Sequence, residues 1–301
     1  MFKILVLQQL NNLSDDQIEY QIRDGLSFMR FLGLQIESRV PDAKTIWLFR
    51  ERLKELNLVE ELFEKFHEQL AAQGYVAKAG QMIDATFVEA PRQRSREENA
   101  TIKSGEIPQD WYKTPNKLHQ KDTDARWAKK NQERHFGYKN HINADQTNKL
   151  VQNFAVSNAA VHDSQVFEEL LDQTIDPKGK KRPVYADSAY RSKDQEESLA
   201  GNAFESQIHE KGARNHPLTD EQTASNRIKS KIRARMEHAF GVQHAMGGHI
   251  VRTIGIALAR AKIGMMNLVY NMRRLVQLVK RDATKAIAQL DSTRTVASLA
   301  A

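Results

Sequence analysis

Two aspartates and one glutamate stand where carboxylates are costly or conspicuous. Asp84 interrupts an apolar strand-like run, MIDATFV, where an unpaired carboxylate costs several kcal/mol or is forced to stay protonated. Asp187 repeats the pattern in PVYADSAY, at the end of a second apolar run and directly before a turn, where neighbouring parallel strands present ligands. Glu237 lies in NRIKSKIRARMEHAFG, four positions after Arg233 and so on the same helical face. Three carboxylates from two strands and a helix suit a pair of Mg²⁺ ions, with Mn²⁺ able to substitute. Two such ions roughly 4 Å apart stabilise both the attacking and the leaving oxygen in phosphodiester displacement. Water or a DNA 3′-hydroxyl is then the nucleophile, and Lys229, Arg233 and Arg235 would hold phosphates beside the metals.

Each acid also has a plainer reading. A strand-end aspartate is commonly a turn or cap residue, and Glu237 after Arg233 can be a helical ion pair. Histidines offer a competing metal site, since His119, His135, His141, His162, His209 and His216 lie among acids, but their spacing matches no compact motif such as HExxH. His162 and Asp163 most simply cap the helix that follows them.

The elements that must position these acids follow from patterning. Residues 1–75 read as a small helical domain: Ser14 is an N-cap with Gln17 three residues on, and Asp42 opens a second periodic stretch that ends at Gly74. Its apolar face is Ile46, Phe49, Leu53, Leu56, Leu58, Leu62 and Phe66. From Val76 the texture changes to strand-like runs: QMIDATFV, GYKNHINAD, KLVQNFAVSN, RPVYADSAY and AFESQIHE. Helical stretches at His162 to Asp172 and Ser192 to Leu199 give the order three strands, helix, strand, helix, strand, hence a mixed α/β sheet.

A long interruption at 89–135 has no clear periodicity. Its basic residues, Arg126 and Lys130 among them, continue to Lys139 and are interleaved with Trp111, Tyr112 and Trp127, which reads as a nucleic-acid surface or as a solvated loop. A long helical region from Thr219 to Val279 follows the last strand, and 283–301 reads as a tail.

Composition narrows the partners. The chain has 301 residues, 40% of them hydrophobic, which suffices for a proper core in one large domain or two ordinary ones. Its formal charge of +7 favours a polyanion or an anionic membrane. No run reaches the roughly 18 apolar residues of a membrane span, because Ile263 to Met272 is broken by Arg273 and Arg274. No cleavable leader is legible in MFKILVLQQLNNLSDDQ, and the absence of cysteine excludes disulfides and thiol chemistry. A cytoplasmic, nucleoid-associated protein is expected.

Taken together, LSDDQIEYQIRDGLSFMRFLGL, PDAKTIWLFRERL, MIDATFVEAPRQR, DARWAKKNQERHFGYKNHINAD, VSNAAVHDSQVFEELLD, VYADSAYRS and RARMEHAFG make the chain resemble bacterial transposases of the insertion-sequence-five family over about residues 5 to 280. The resemblance implies a ribonuclease-H-like mixed sheet flanked by helices over 76–282, and a DDE triad on Asp84, Asp187 and Glu237. It further implies Mg²⁺ dependence, recognition of terminal inverted repeats in double-stranded DNA, hydrolytic cleavage with strand transfer into target DNA, and a homodimer when two ends are synapsed. In the signature that surrounds the glutamate of such enzymes, Arg233 and Glu237 match, whereas Ser230 takes the tyrosine position and His244 the lysine position. Similar proteins carry several tens of residues before the block that starts here near Phe2, so an N-terminally shortened helical domain is expected. Two other readings stand beside this one: a non-catalytic DNA-binding remnant that represses transposition, and a metal-dependent nuclease without strand transfer.

Overall fold

The computed structural model describes every residue except 78, 131, 175–178, 203, 214–215 and 300–301, and gives the backbone alone at 115 and 289–299. Five helices come first: α1 (Phe2–Leu10), α2 (Asp15–Asp24), α3 (Leu26–Leu32), α4 (Ala43–Glu55) and α5 (Leu58–Ala72). Ser14 and Gln17 form the expected capping box on α2, and Asp42 caps α4 by accepting the Thr45 N–H. The periodic stretch from Asp42 to Gly74 is the helix pair α4 and α5. It divides at Asn57, which takes a left-handed φ of 51°. Within the first helix Ile46 and Leu53 are buried, while Leu56, the residue that ends α4, is exposed.

Then follow β1 (Gln81–Glu89), α6 (Arg96–Lys103), α7 (Gln109–Tyr112), α8 (Pro115–Gln120), β2 (Arg126–Lys130), β3 (Glu133–Asp145) and β4 (Val151–Asn158). A 3₁₀ turn at Asp163–Val166 leads into α9 (Phe167–Leu170) and β5 (Arg182–Tyr185). A second 3₁₀ turn at Ser188–Tyr190 precedes α10 (Lys193–Gly201) and β6 (Phe204–Ser206). The chain closes with α11 (Asp220–Arg233), α12 (Arg235–Ala245) and α13 (Ile256–Leu299). The interruption read as aperiodic therefore holds three short helices and a strand, and α13 continues through most of the expected tail.

Across the sheet the strands run β4, β3, β1, β5, β6, the first three antiparallel and the last two parallel to β1, with β2 paired to the free end of β3. This is the strand order of a ribonuclease-H-like fold. Gly137 sits where β3 passes from β1 to β2 at φ 148°, and a Cβ there would meet the Val88 carbonyl at 2.3 Å, so no other residue fits without moving the strands.

One face of the sheet and the N-terminal helices share a single core. Ile4, Ile18, Ile46 and Phe63 belong to the same cluster as Met82, Tyr138, Met266 and Val269. The helices at 1–75 thus have no core separate from the sheet, because α13 runs between them and β4 and supplies apolar side chains to both. The opposite face packs Ile83, Val184, Phe167, Tyr190 and Leu199 against α9 and α10.

Inside the first core, Asn140 of β3, Gln243 of α12 and Asn267 of α13 form a closed ring of amide hydrogen bonds at 2.8 to 3.1 Å. All three are fully buried, so the ring fixes α12 and α13 to the sheet at one defined position. Asn271 satisfies both backbone groups of Val151 at the start of the outer edge of β4.

Candidate active site

The site is built where β5 ends and β1 continues. The parallel register pairs Gln81 with Val184 and Met82 with Tyr185. Extended by two residues, it sets Asp84 level with Asp187 on the same face of the sheet, because side chains alternate along a strand. The ladder between β5 and β6 also outlasts the named strands, since Gln207 N donates to Val184 O and His209 N to Ala186 O. His209 therefore stands level with Asp187 on its other side. Asp84, Asp187 and His209 make a row across three parallel strands, just beyond the carboxyl ends of β5 and β6 and within β1.

Local hydrogen bonds hold the row. Asp84 Oδ1 accepts the Ala85 N–H at 2.9 Å, an N–H on the side that β5 has left. Asp187 caps the 3₁₀ turn after β5 by accepting the Ala189 N–H at 2.8 Å, so the plainer cap reading is correct for its Oδ1. Arg233, the last residue of α11, spans the row: Nη2 donates to Asp84 Oδ2 at 3.0 Å, and Nη1 lies 3.4 Å from His209 Nδ1. The other ring nitrogen of His209 is 3.2 Å from Ser230 Oγ. Burial first, and then the Arg233 guanidinium, hold the His209 pKa below its usual value.

Lys139 pairs with Phe87 and so stands on the opposite face of the sheet from Asp84, where it is not part of a free surface. It is buried, donates to the Val161 carbonyl and to Asp163 Oδ1 at 2.7 Å each, and lies over the Phe87 ring. Tyr190 is buried behind the acids with its hydroxyl unpartnered. Its pKa is driven well above the ordinary range by burial, then by Asp163, Asp84 and Asp187. His162 caps the turn at Asp163 as expected, accepting from Ser164 N.

The structure thus brings Asp84, Asp187 and Arg233 together. Glu237 lies in the first turn of α12 with an exposed side chain, and among the described residues no three Asp, Glu or His side chains are grouped closely enough to hold one ion. The donor chemistry of the row fits a hard divalent cation: two carboxylates stand level on one face of the sheet, and Asp84 already draws a positive charge from Arg233. Asp84 and Asp187 would hold such an ion, and Glu237 could complete the set only by turning inward from solvent.

The remaining predicted contacts are divided. Lys229 is buried and donates to Ile208 O and Glu210. Arg126 donates to the Thr123 and Ala125 carbonyls, while Arg235 and Lys130 are exposed, Arg235 with one bond to Gln146 O. Of the interleaved aromatics, Trp111 is buried and bonded to Glu98, whereas Tyr112 and Trp127 are exposed. His209 was legible only as one of many dispersed histidines, and nothing in its spacing singled it out.

Comparison with known proteins decides the family. A model of the transposase DDE domain matches residues 77–272, and one described as "Transposase domain (DUF772)" matches residues 1–52. The chain belongs to the transposase DDE domain family. Among solved structures, a piggyBac transposase in a synaptic complex with hairpin DNA matches with a TM-score of 0.43 at 13% identity, over 92% of this chain and 65% of that one. This transposase-family chain therefore spans about two thirds of the length of that relative. The family match covers all three acids and Arg233, together with His209.

Proposed function

We propose that the chain is a DDE transposase of the insertion-sequence-five type that cleaves and joins DNA at the terminal inverted repeats of its element, with Asp84, Asp187 and Glu237 as the metal-binding triad. The observation that carries this reading is the level placement of Asp84 and Asp187 on adjacent parallel strands, with Arg233 bonded to the first. Divalent ions held there, Mg²⁺ or Mn²⁺, would stabilise charge on the attacking and leaving oxygens of a phosphodiester. The chain's own residues do the rest. Asp84 and Asp187 orient the site from rigid strands, Arg233 steadies a phosphate at the mouth, and Arg235, Arg126 and Lys130 meet the DNA backbone. Two ends brought together require two copies, so a homodimer on double-stranded DNA is the proposed working form.

Incubation with repeat-end DNA and Mg²⁺ tests the reading: nicks at the repeat boundary and joined products are expected, and both should vanish in Asp187→Asn. The exposed position of Glu237 favours one alternative, a non-catalytic DNA-binding protein that occupies element ends. Binding without nicking at every metal concentration would establish it, and cutting without joined products would identify a plain nuclease.

A further inference from the structure

His209 is the member of the row that the proposed chemistry leaves without a task, and its position is fixed from two sides. From the sheet, the Ala186 carbonyl accepts its N–H, just as the Val184 carbonyl accepts that of Gln207. From α11, one helical face lies along residues 208–210: Asn226, Lys229, Ser230 and Arg233 recur at the three- and four-residue spacing that puts side chains on one side of a helix. Asn226 bonds both backbone groups of Glu210, and buried Lys229 donates to the Ile208 carbonyl and to the Glu210 side chain. Ser230 and Arg233 reach the His209 ring itself.

The hydrogen bonds of the ring have one consistent assignment. A guanidinium can only donate, so His209 Nδ1, 3.4 Å from Arg233 Nη1, is the nitrogen without a proton. The proton of the neutral ring is then on Nε2, which donates to Ser230 Oγ at 3.2 Å. Arg233 therefore has two acceptors at the row, Asp84 through Nη2 and His209 through Nη1. Its Nε is buried and makes no hydrogen bond, so these two contacts orient the guanidinium. They differ in what else can claim the acceptor. The Asp84 carboxylate suits a divalent cation, whereas the single lone pair of His209 Nδ1 is turned to the guanidinium. An arginine held by Asp84 alone would be set loose whenever that carboxylate served a metal; the second bond keeps it in place.

We propose that His209 is a positioning residue for the cleavage reaction: through Nδ1 it retains Arg233, so that Nη2, once Asp84 serves a cation, is presented to a phosphate of the DNA. This rests on the transposase reading above. Nicking of repeat-end DNA by the full chain, at saturating DNA and Mg²⁺, tests it with two substitutions. His209→Leu removes the acceptor and should slow nicking about tenfold or more, as expected for a lost hydrogen bond to a charged group. His209→Asn, whose carbonyl oxygen can stand in for Nδ1, should recover most of the rate. In an Arg233→Met background His209→Leu should cost nothing further, because two residues acting through one contact are not additive. A readout free of DNA and metal stands beside these. In nitrogen NMR spectra of histidine-labelled protein at about pH 8, where an ordinary histidine is neutral, the His209 signals are those missing from His209→Asn. They should report the Nε2–H form, and Arg233→Met should shift them towards a mixture of tautomers. Nicking by His209→Leu at the wild-type rate, equal losses in His209→Leu and His209→Asn, or a proton on Nδ1 in the wild type overturns this inference and leaves the transposase reading standing. Absence of nicking from the wild type overturns both.

Discussion

Arg233 Nη2 donates to Asp84 Oδ2 at 3.0 Å, so the charge that neutralises an aspartate in the middle of the sheet comes from a residue 149 positions farther along the chain. The side chains are 22% and 17% exposed, which places the pair largely out of water. Any cation that binds Asp84 through this oxygen competes with the guanidinium.

That competition has a measurable sign. Arg233→Gln should destabilise the metal-free protein by about 1.5–3 kcal/mol, the usual range for a hydrogen bond to a charged group. It should also tighten Mn²⁺ binding severalfold, because the competing cation has gone. Denaturation and an electron-paramagnetic-resonance titration with Mn²⁺ check the two halves, and unchanged Mn²⁺ affinity would place the metal elsewhere.

Neutral substitutions in the row should separate chemistry from folding. Asp84→Asn and Asp187→Asn are each expected to lower nicking of repeat-end DNA by about 10²-fold or more, as when a preorganised electrostatic group is removed from an active site. Circular dichroism should remain that of the wild type. Glu237→Gln should fall by a comparable factor, and retained nicking would remove Glu237 from the triad.

The acid limb of stability should depend on His141. It is fully buried with Nε2 2.8 Å from Ser157 Oγ, and burial lowers its pKa from 6.5 to about 4. Between those values the unfolded chain takes up a proton that the folded one refuses. The stability that His141 contributes is therefore intact above pH 6.5 and is lost as the pH falls towards 4. The slope should approach about 1.4 kcal/mol per pH unit. Because Asp145, with its pKa raised to about 6, contributes with the opposite sign between pH 6 and 4, the quantity to follow is the difference in urea midpoint between wild type and His141→Gln, which should move against the wild type as the pH falls.

The amide ring makes a prediction about architecture. Asn267→Ala leaves Asn140 and Gln243 each short of a partner in a dry core, which should cost about 1–3 kcal/mol for each unsatisfied group. Because Gln243 lies on α12, the helix that carries Glu237, nicking should fall further than the loss of stability alone explains. Equal melting curves for the variant and wild type would show that the ring contributes nothing.

What the sequence determined by itself was set by local rules. Ser14, Asp42 and Ser192 announced helix starts because a short polar side chain satisfies an N–H a few residues on. Apolar runs announced the strands, and Asp84 and Asp187 stood out because a carboxylate in such a run needs compensation. The partition of the long helical stretches, β2, and the shared core of the first five helices were hidden, since each depends on packing against α13 or pairing with β3. Only the tertiary structure decided which bases face solvent and which are committed within the fold. Lys139 and Lys229 look like phosphate contacts in a string of letters, yet they bond Asp163 and Glu210. It alone set His209 beside Asp187 and left Glu237 exposed, because lateral register between strands and the rotation of a helix over a sheet are fixed by contacts between residues far apart in the chain.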